Sequence, residues 1–376
     1  MTRREQEILA WIRDNPLISQ QELAQRAGIT RSSVAVHISN LMRKGLIRGR
    51  GYLLGEGAYV AVVGAVNVDI GGTPDSALVP ADSNPGRVTV TLGGVGRNIA
   101  ENLSRLGKRV LMVTAMGEDA HAQQIQHSCR ELGIDLSHSL TVPNARTSTY
   151  LCLNDANGEI VGAVSDMAIY DALTPAYLST QLEALNRAAL VVLDANLPPE
   201  SLSFLAENLK PPLFADPVSV KKAGRLRPIL ARLTAMKPNR PEASLLTGVD
   251  IRNNDDLPRA AAAFFDLGLE NVFISLGAEG VYFDDGRDRG ILPCFPSPVI
   301  NTTGCGDAFL AAAACAWQEG CSLREMALHG LAAILVAGHL GHDLGGDVAG
   351  GGEAVGPLDK GTGDDGAVLQ HILQIH

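Results

Sequence analysis

Apolar residues recur at helical spacing up to Gly45 and then give way to short, uninterrupted apolar runs. In residues 4–13, Ile8, Leu9 and Ile12 fall on one face beside Trp11, and Asn15-Pro16 closes the pattern. Ser19 with Glu22 three residues on has the form of a capping box, which predicts a helix over 20–27 that Gly28 stops. A third helix starts at Thr30, carries Val34, Ile38, Leu41 and Met42 on its apolar stripe, and ends at Lys44-Gly45. Residues 46–54 alternate and turn like a small β-ribbon. After a linker at 55–58 the period changes. Apolar runs at 59–69, 109–115, 189–194, 212–216, 233–236 and 272–276 are separated by helical patterns, which predicts an α/β fold: a parallel sheet with helices on both faces. Residues 147–153 and 159–164 flank Asp155-Ala156-Asn157-Gly158 and predict an antiparallel hairpin, placed as a lid on the βαβ pattern. The run 308–317 reads as a buried helix.

Composition adds a division of labour. With 376 residues, 46% hydrophobic and 19% charged, the chain has a sizeable core and room for one large α/β domain plus something small. Residues 1–54 carry nine Lys and Arg against four acids, a net of +5, so the rest carries −15 to reach the overall −10. A basic head on an acidic body implies different partners for the two parts. No apolar run has the length of a membrane span and the N-terminus is charged, so a cytoplasmic protein without membrane partners is expected. The six cysteines show neither zinc spacing nor a disulfide framework, so free thiols are expected.

The chemistry concentrates at Asn301-Thr302-Thr303-Gly304-Cys305-Gly306-Asp307-Ala308-Phe309. Two glycines at a helix start let backbone amides approach an anion, which the helix dipole also favours. Asp307, in the first turn, is positioned to act as a general base on a substrate hydroxyl. A Gly-rich turn carrying an ordinary N-terminal acid is the alternative. Asn67 and Asp69 point the same way on their strand, where Asp69 suits a pair of sugar hydroxyls or caps a loop. Gly93-Gly94-Val95-Gly96-Arg97-Asn98 brings backbone close to a ligand with Asn98 facing it, and does not by itself separate a nucleotide cradle from a sugar contact. Asp166 is placed at the base of the lid.

Two resemblances follow from these residues. The three helices, Gln21-Glu22-Leu23-Ala24, Gly28 in the turn and Ser32-Ser33-Val34 opening the third helix resemble the winged helix-turn-helix of bacterial transcription regulators. That resemblance implies double-stranded DNA as a partner of residues 1–54. It puts Thr30, Arg31, Ser32, Ser33 and His37 near base edges or phosphates, with Arg48 and Arg50 in a wing on the backbone. A helical bundle used for protein contacts is the alternative.

From about 58 to 340 the chain resembles the ribokinase-like (PfkB) carbohydrate and nucleoside kinases, through four ordered motifs. These are Gly93 to Asn98, Asn239-x-x-Glu242, Ser275-x-Gly277-x-x-Gly280 and Thr302 to Phe309. The resemblance implies a ribokinase-like fold with a small β lid at about 71–92 and 147–165, and a homodimer. It implies phosphoryl transfer from ATP, with Asp307 as base and Gly304, Cys305 and Gly306 as anion hole. It gives Asn239, Ser275, Gly277, Gly280, Thr303 and Gly304 to ATP, and Mg2+ through water to Glu242 and Asn239. Asn67, Asp69, Gly93, Gly94, Asn98, Asp166 and Asn196 are left to a nucleoside or sugar. Ser165-Asp166-Met167, Ala215-Asp216-Pro217-Val218-Ser219 and Lys237-Pro238-Asn239 resemble pseudouridine kinases with an N-terminal winged helix, so pseudouridine is the first expectation, and another nucleoside such as inosine or a free sugar is the alternative. A transcription regulator that senses a nucleoside through a kinase-like body is the reading from a different class. Asn301 replaces the acid that precedes the two threonines in the family, which leaves a monovalent-cation site open, and residues 341–376 form a Gly-rich tail.

Overall fold

The computed structural model describes residues 1–48, 58–156, 159–295 and 304–339, with side chains to Leu335. The chain divides into two units, Met1–Tyr59 and Val60–His376. In the first, the helices form where the apolar stripes predict them: Arg3–Asp14 (α1), Gln20–Ala27 (α2) and Arg31–Arg43 (α3). Ile8, Ile12, Leu23, Val34 and Leu41 meet in a small core. Ser19 accepts from the Glu22 amide and Gly28 closes α2 at φ 64°, but Glu22 turns to Arg26 at 3.2 Å, so only half of the predicted box forms there. A complete box forms at Thr2 and Glu5 instead. Glu5 is 2% exposed and takes a hydrogen bond of 2.7 Å from Lys44, which ties the start of α1 to the end of α3 and holds the Glu5 carboxyl below its ordinary pKa.

The second unit begins with Val60–Val63 (β1), buried along its length. The predicted single strand over 59–69 is in fact two. Gly64-Ala65-Val66 breaks the run, and the chain leaves the central sheet as Asn67–Pro74 (β2) and returns as Gly86–Gly93 (β3). There follow Val95–Arg105 (α4), Val110–Val113 (β4), Ala115–Met116 (β5), Ala120–Glu131 (α5), Ile134–Asp135 (β6) and Leu140–Thr141 (β7). Thr149–Asn154 (β8) and Ile160–Asp166 (β9) are the predicted hairpin; of its turn, Asn157 and Gly158 lie outside the described residues. Pro175–Ser179 (α6) and Leu182–Arg187 (α7) lead into Leu190–Asp194 (β10), Pro199–Asn208 (α8), Leu213–Asp216 (β11), Val220–Ala223 (α9), Ala235–Met236 (β12) and Arg240–Thr247 (α10). The chain continues through Leu257–Asp266 (α11), Asn271–Ser275 (β13), Val281–Asp284 (β14) and Arg289–Leu292 (β15) to Cys305–Glu319 (α12) and Leu323–His339 (α13).

The central sheet runs β15-β14-β13-β12-β11-β10-β1-β4-β6. It is parallel from β13 to β6, as the alternating pattern predicts, but β14 and β15 add an antiparallel edge. The lid is a four-stranded sheet, β3-β2-β8-β9. Apolar side chains from strands β1, β4, β10 and β13 meet those of α4, α5, α12 and α13 in one core. Phe309 is 1% exposed, sits edge-on to Phe273 at 5.5 Å, and faces Gly330 so closely that a Cβ there would stand 2.4 Å from its ring. Burying a ring of that size contributes about 2–3 kcal/mol, and this packing holds the first turn of α12 against the sheet. No helix among the described residues is long and apolar enough to cross a membrane. No disulfide joins the six cysteines, all of which lie among the described residues.

Candidate active site

The carboxyl ends of the parallel strands carry the polar residues, which is where open α/β sheets bind ligands. Gly64, Asp194, Asp216, Lys237 and Ser275 follow or close β1, β10, β11, β12 and β13 in turn. Against these ends stands the N-terminus of α12. Gly304 caps it at φ 80°, a conformation L side chains rarely adopt, and no side chain occupies the capping position. Asp307 in the first turn is buried and accepts a hydrogen bond of 2.8 Å from Asn98 Nδ2. Burial, reinforced by the neighbouring Asp216 charge, raises its pKa to about 8, against the opposing pull of Asn98 and Lys237. A carboxyl so poised sits near the operating range of a general base.

Asn98 belongs to α4, and its own Oδ1 is buried without a hydrogen-bond partner among the described residues. A buried acceptor left open costs about 1–3 kcal/mol, which a ligand hydroxyl donating to it would recover. The approach of α4 depends on glycine. A Cβ on Gly96 would stand 2.9 Å from the Ala65 nitrogen, and one on Gly94, at φ 99°, would stand 2.5 Å from the Ala65 oxygen. Asp194, which sequence reasoning treated as the end of a strand, holds this corner. Its carboxylate accepts from the amides of Ala65 at 2.7 Å, Gly96 at 3.0 Å and Asn196 at 2.8 Å. It thereby fixes the exit from β1, the start of α4 and its own loop.

Where β2 starts, the Asn67 side chain donates to Asp69, and burial raises the Asp69 pKa to about 6. Asn67 lies opposite Gly93 in the ladder, where a Cβ would come within 2.2 Å of Asp69 Oδ2. Asn67, Asp69, Gly93 and Gly94 are thus brought together. Asp166 is not brought to them. Asp69 is in register with Tyr150, and Tyr150 with Ser165, whereas Asp166 pairs with Thr149, the partner of Val68. Residues in register share a face and successive residues alternate, so Ser165 has the Asp69 face and the exposed Asp166 the other. Asn196 is buried and accepts from Lys222 Nζ, which also lies 3.1 Å from Met167 Sδ at the foot of the lid.

On the other side of Asp216, Asn239 caps α10 and forms a reciprocal box with Glu242, both bonds being 2.9 Å. A β-bridge joins Asn239 to Ser275, while Gly277 and Gly280 take φ 64° and 105° in the turn after β13. A Cβ on Gly280 would stand 1.9 Å from the Leu292 oxygen, but one on Gly277 would meet nothing within 4 Å, which leaves that turn open to a ligand. Glu242 is 5% exposed, and burial together with the Asp216 charge pushes its pKa up. It is a single buried carboxylate, and the described residues form no group able to ligate a metal unaided. Magnesium fits such a place: it keeps its waters and binds through one or two carboxylates plus phosphate oxygens. Thr303 and Asn301, and with them the question of a monovalent cation, lie outside the described residues.

In the first unit, Arg31 and Ser32 are exposed on α3, Ser33 is half-buried with its hydroxyl 2.9 Å from Thr30, and His37 keeps a buried Nδ1 without a partner among the described residues. Arg48 is exposed; Arg50 lies outside the described residues.

A parallel sheet with an appended β lid, and a buried carboxylate at a glycine-capped helix start, define a phosphotransferase acting on a hydroxyl. The comparisons agree. The chain belongs to the pfkB family of carbohydrate kinases, whose model matches residues 58–343, and a winged helix-turn-helix DNA-binding model matches residues 1–48. It is 36% identical over 341 residues to the uncharacterized sugar kinase YeiI of Escherichia coli K12, covering 90% of this chain and 94% of that one. It is 38% identical over 272 residues to the pseudouridine kinase of the same organism, covering 72% and 87%. Among solved structures, a carbohydrate kinase from Agrobacterium tumefaciens superposes with a TM-score of 0.69 at 27% identity over 85% of this chain and 97% of that one. Arabidopsis thaliana ribokinase, solved with ribose and ATP, gives 0.68 at 24% identity over 75% and 93%. The protein is therefore a kinase of the ribokinase family, acting on a nucleoside or sugar.

Proposed function

We propose that the chain transfers the γ-phosphoryl group of ATP to the 5'-hydroxyl of a nucleoside, with pseudouridine as the first substrate. The observation that carries the reading is the Asn98–Asp307 pair, which joins the glycine-rich start of α4 to the anion-binding start of α12. The ribose hydroxyls meet Asp69 and the open Oδ1 of Asn98. The 5'-hydroxyl gives its proton to Asp307, and the first-turn amides of α12 take up the charge on the phosphoryl oxygens. Asn239, Ser275 and the open Gly277 turn hold the nucleotide. Magnesium, when bound near Glu242 and Asn239, supplies charge neutralisation between the phosphates. Lys222 and Asn196, at the foot of the lid, give a polar edge for a nucleobase, which favours a nucleoside over a free sugar. The similarity to pseudouridine kinase supports the choice of base.

The basic first unit, with Arg31 and Ser32 exposed on α3, supports binding of double-stranded DNA. Val88, Val90, Leu151 and Val164 are exposed on the lid face opposite Asp69, the surface expected to meet a second copy in a homodimer. The test of the activity is ATP-dependent phosphorylation of pseudouridine, uridine, inosine and ribose side by side. Preference for pseudouridine by kcat/KM is the expected result. Preference for inosine or ribose overturns the base assignment, and binding without turnover of any of the four makes the body a sensor.

A further inference from the structure

We infer that Lys237 is a catalytic residue, holding the transferred phosphoryl group beside the first-turn amides of α12. This rests on the kinase reading. Lys237 follows β12 directly and is 7% exposed. Its ammonium stands over the first turn of α12: a Cβ on Gly306 would lie 2.9 Å from its Nζ and 3.4 Å from its Cε. Glycine at that position is what lets the lysine reach the helix end.

The arrangement is electrostatically adverse as it stands. A helix N-terminus carries about half a positive charge, and a buried ammonium beside it also loses hydration. The ion pair Lys237 makes is with Asp216 Oδ2 at 3.8 Å, longer than a hydrogen bond, while its charge also acts on the buried carboxyls of Asp307 and Glu242. Asp216 itself is engaged elsewhere, accepting from the Val218 amide at 2.7 Å in a turn where Val218 takes φ 66°. Two positive ends that converge on one point, with the nearest carboxylate turned partly aside, are stabilised by an anion between them. The γ-phosphate is the anion this reaction brings there.

In the step itself the acceptor oxygen bonds to the γ-phosphorus and the bond from that phosphorus to the β,γ-bridging oxygen breaks. The hydroxyl proton passes to Asp307 and ADP leaves. The Lys237 side chain neutralises charge on the non-bridging oxygens, which no side chain of α12 does.

The test is Lys237→Met, with Lys237→Arg and Lys237→Gln beside it, assayed for turnover and for ATP and ADP binding by calorimetry. Lys237→Met is expected to lower kcat about 100-fold, the order seen when one preorganised charge-stabilising donor is lost. KM for the nucleoside should stay within about twofold, with Lys237→Arg retaining part of the rate, and ATP affinity should fall about tenfold more than ADP affinity. A kcat within about threefold of the unsubstituted protein overturns the proposal, as does equal loss of ATP and ADP affinity. If Lys237→Met does not fold, Lys237→Gln is read by the same criteria. Should the unsubstituted protein phosphorylate none of the acceptors, the kinase reading fails by itself, and the ATP-against-ADP difference still decides the role of Lys237.

Discussion

Replacing Asn98 by leucine removes one hydrogen bond from Asp307 while keeping the shape of the side chain. The bond is 2.8 Å long and runs to a buried carboxyl whose pKa, about 8, it holds down against burial and the Asp216 charge. Hydrogen bonds to charged groups are worth about 1.5–3 kcal/mol, and one pKa unit corresponds to about 1.4 kcal/mol. Asn98→Leu should therefore raise the Asp307 pKa by about one to two units. The base works only when ionised, so kcat/KM falls tenfold per pH unit below that pKa and levels off above it. At pH 7 the variant should lose about 10- to 100-fold from this cause alone. The assay is kcat/KM for the nucleoside between about pH 6 and 10, followed as ADP release. Asn98→Leu also lowers the plateau, because the leucine cannot accept a ligand hydroxyl, but plateau and limb are read separately. An acid limb at the same pH in both proteins refutes the argument that Asn98 tunes the base.

Asp307→Asn should abolish turnover and also stabilise the fold in a pH-dependent way. The folded-state pKa of Asp307 is raised from 3.8 to about 8, so ionisation costs the native state nothing below about pH 4, progressively more up to pH 8, and a constant amount above it. The melting temperature of Asp307→Asn should thus exceed that of the unsubstituted protein by a margin that grows from pH 4 to 8; a margin that shrinks over that range contradicts the shift. Gly93→Ala puts a Cβ where it would stand 2.2 Å from Asp69 Oδ2, and should raise the nucleoside KM at least about tenfold while sparing that for ATP; an unchanged nucleoside KM removes Asp69 from the sugar site. Deleting residues 1–54 should leave phosphorylation intact and abolish salt-sensitive duplex binding, and Arg31→Ala should reduce the slope of log affinity against log salt by about one. An unaltered slope in both would assign the basic unit to something other than DNA.

The parts of this fold that read directly from the sequence are those set by local periodicity. The head helices announce themselves through stripes and caps, and β10, β11 and β13 through apolar runs of strand length. What failed to read was set by contacts between distant residues. Nothing between Tyr59 and Asp69 marks the break at Gly64 to Val66, because apolar character continues through it; the break is made by Asp194, 129 residues on from the Ala65 amide it binds. Asp194 and Asp216 look like ordinary strand ends until the strands lie side by side. Asp166 ends β9 at the base of the lid, as expected, but the sequence did not show its face, and in a strand one residue is a change of face. Glu22 illustrates a competing local interaction: Arg26 stands one helical turn away and takes the side chain that the capping pattern predicts for the helix start. The edge hairpin β14–β15 went unread because its apolar runs are only Val281-Tyr282-Phe283 and Ile291-Leu292, separated by charged and glycine residues.

The position of Asn98 makes acceptor binding and base strength one event. Its Nδ2 donates to Asp307 while its Oδ1 is open and buried. A ribose hydroxyl that donates to Oδ1 polarises the amide and makes Nδ2 the stronger donor, since hydrogen bonds in a chain reinforce one another at low dielectric. The carboxylate form of Asp307 is then favoured only once the acceptor is seated. In the free protein at neutral pH, a group with a pKa of about 8 is mostly protonated and cannot take a proton from a stray water. This predicts two different acid limbs in the unsubstituted protein. The limb of kcat, which reports the substrate complex, should lie at lower pH than the limb of kcat/KM, which reports the free enzyme. In Asn98→Leu the part of that separation carried by the amide should disappear, and only what the nucleotide's own charge contributes should remain. Coincident limbs in the unsubstituted protein, or a separation unchanged in Asn98→Leu, would mean that the sugar site and the base titrate independently despite the side chain that joins them.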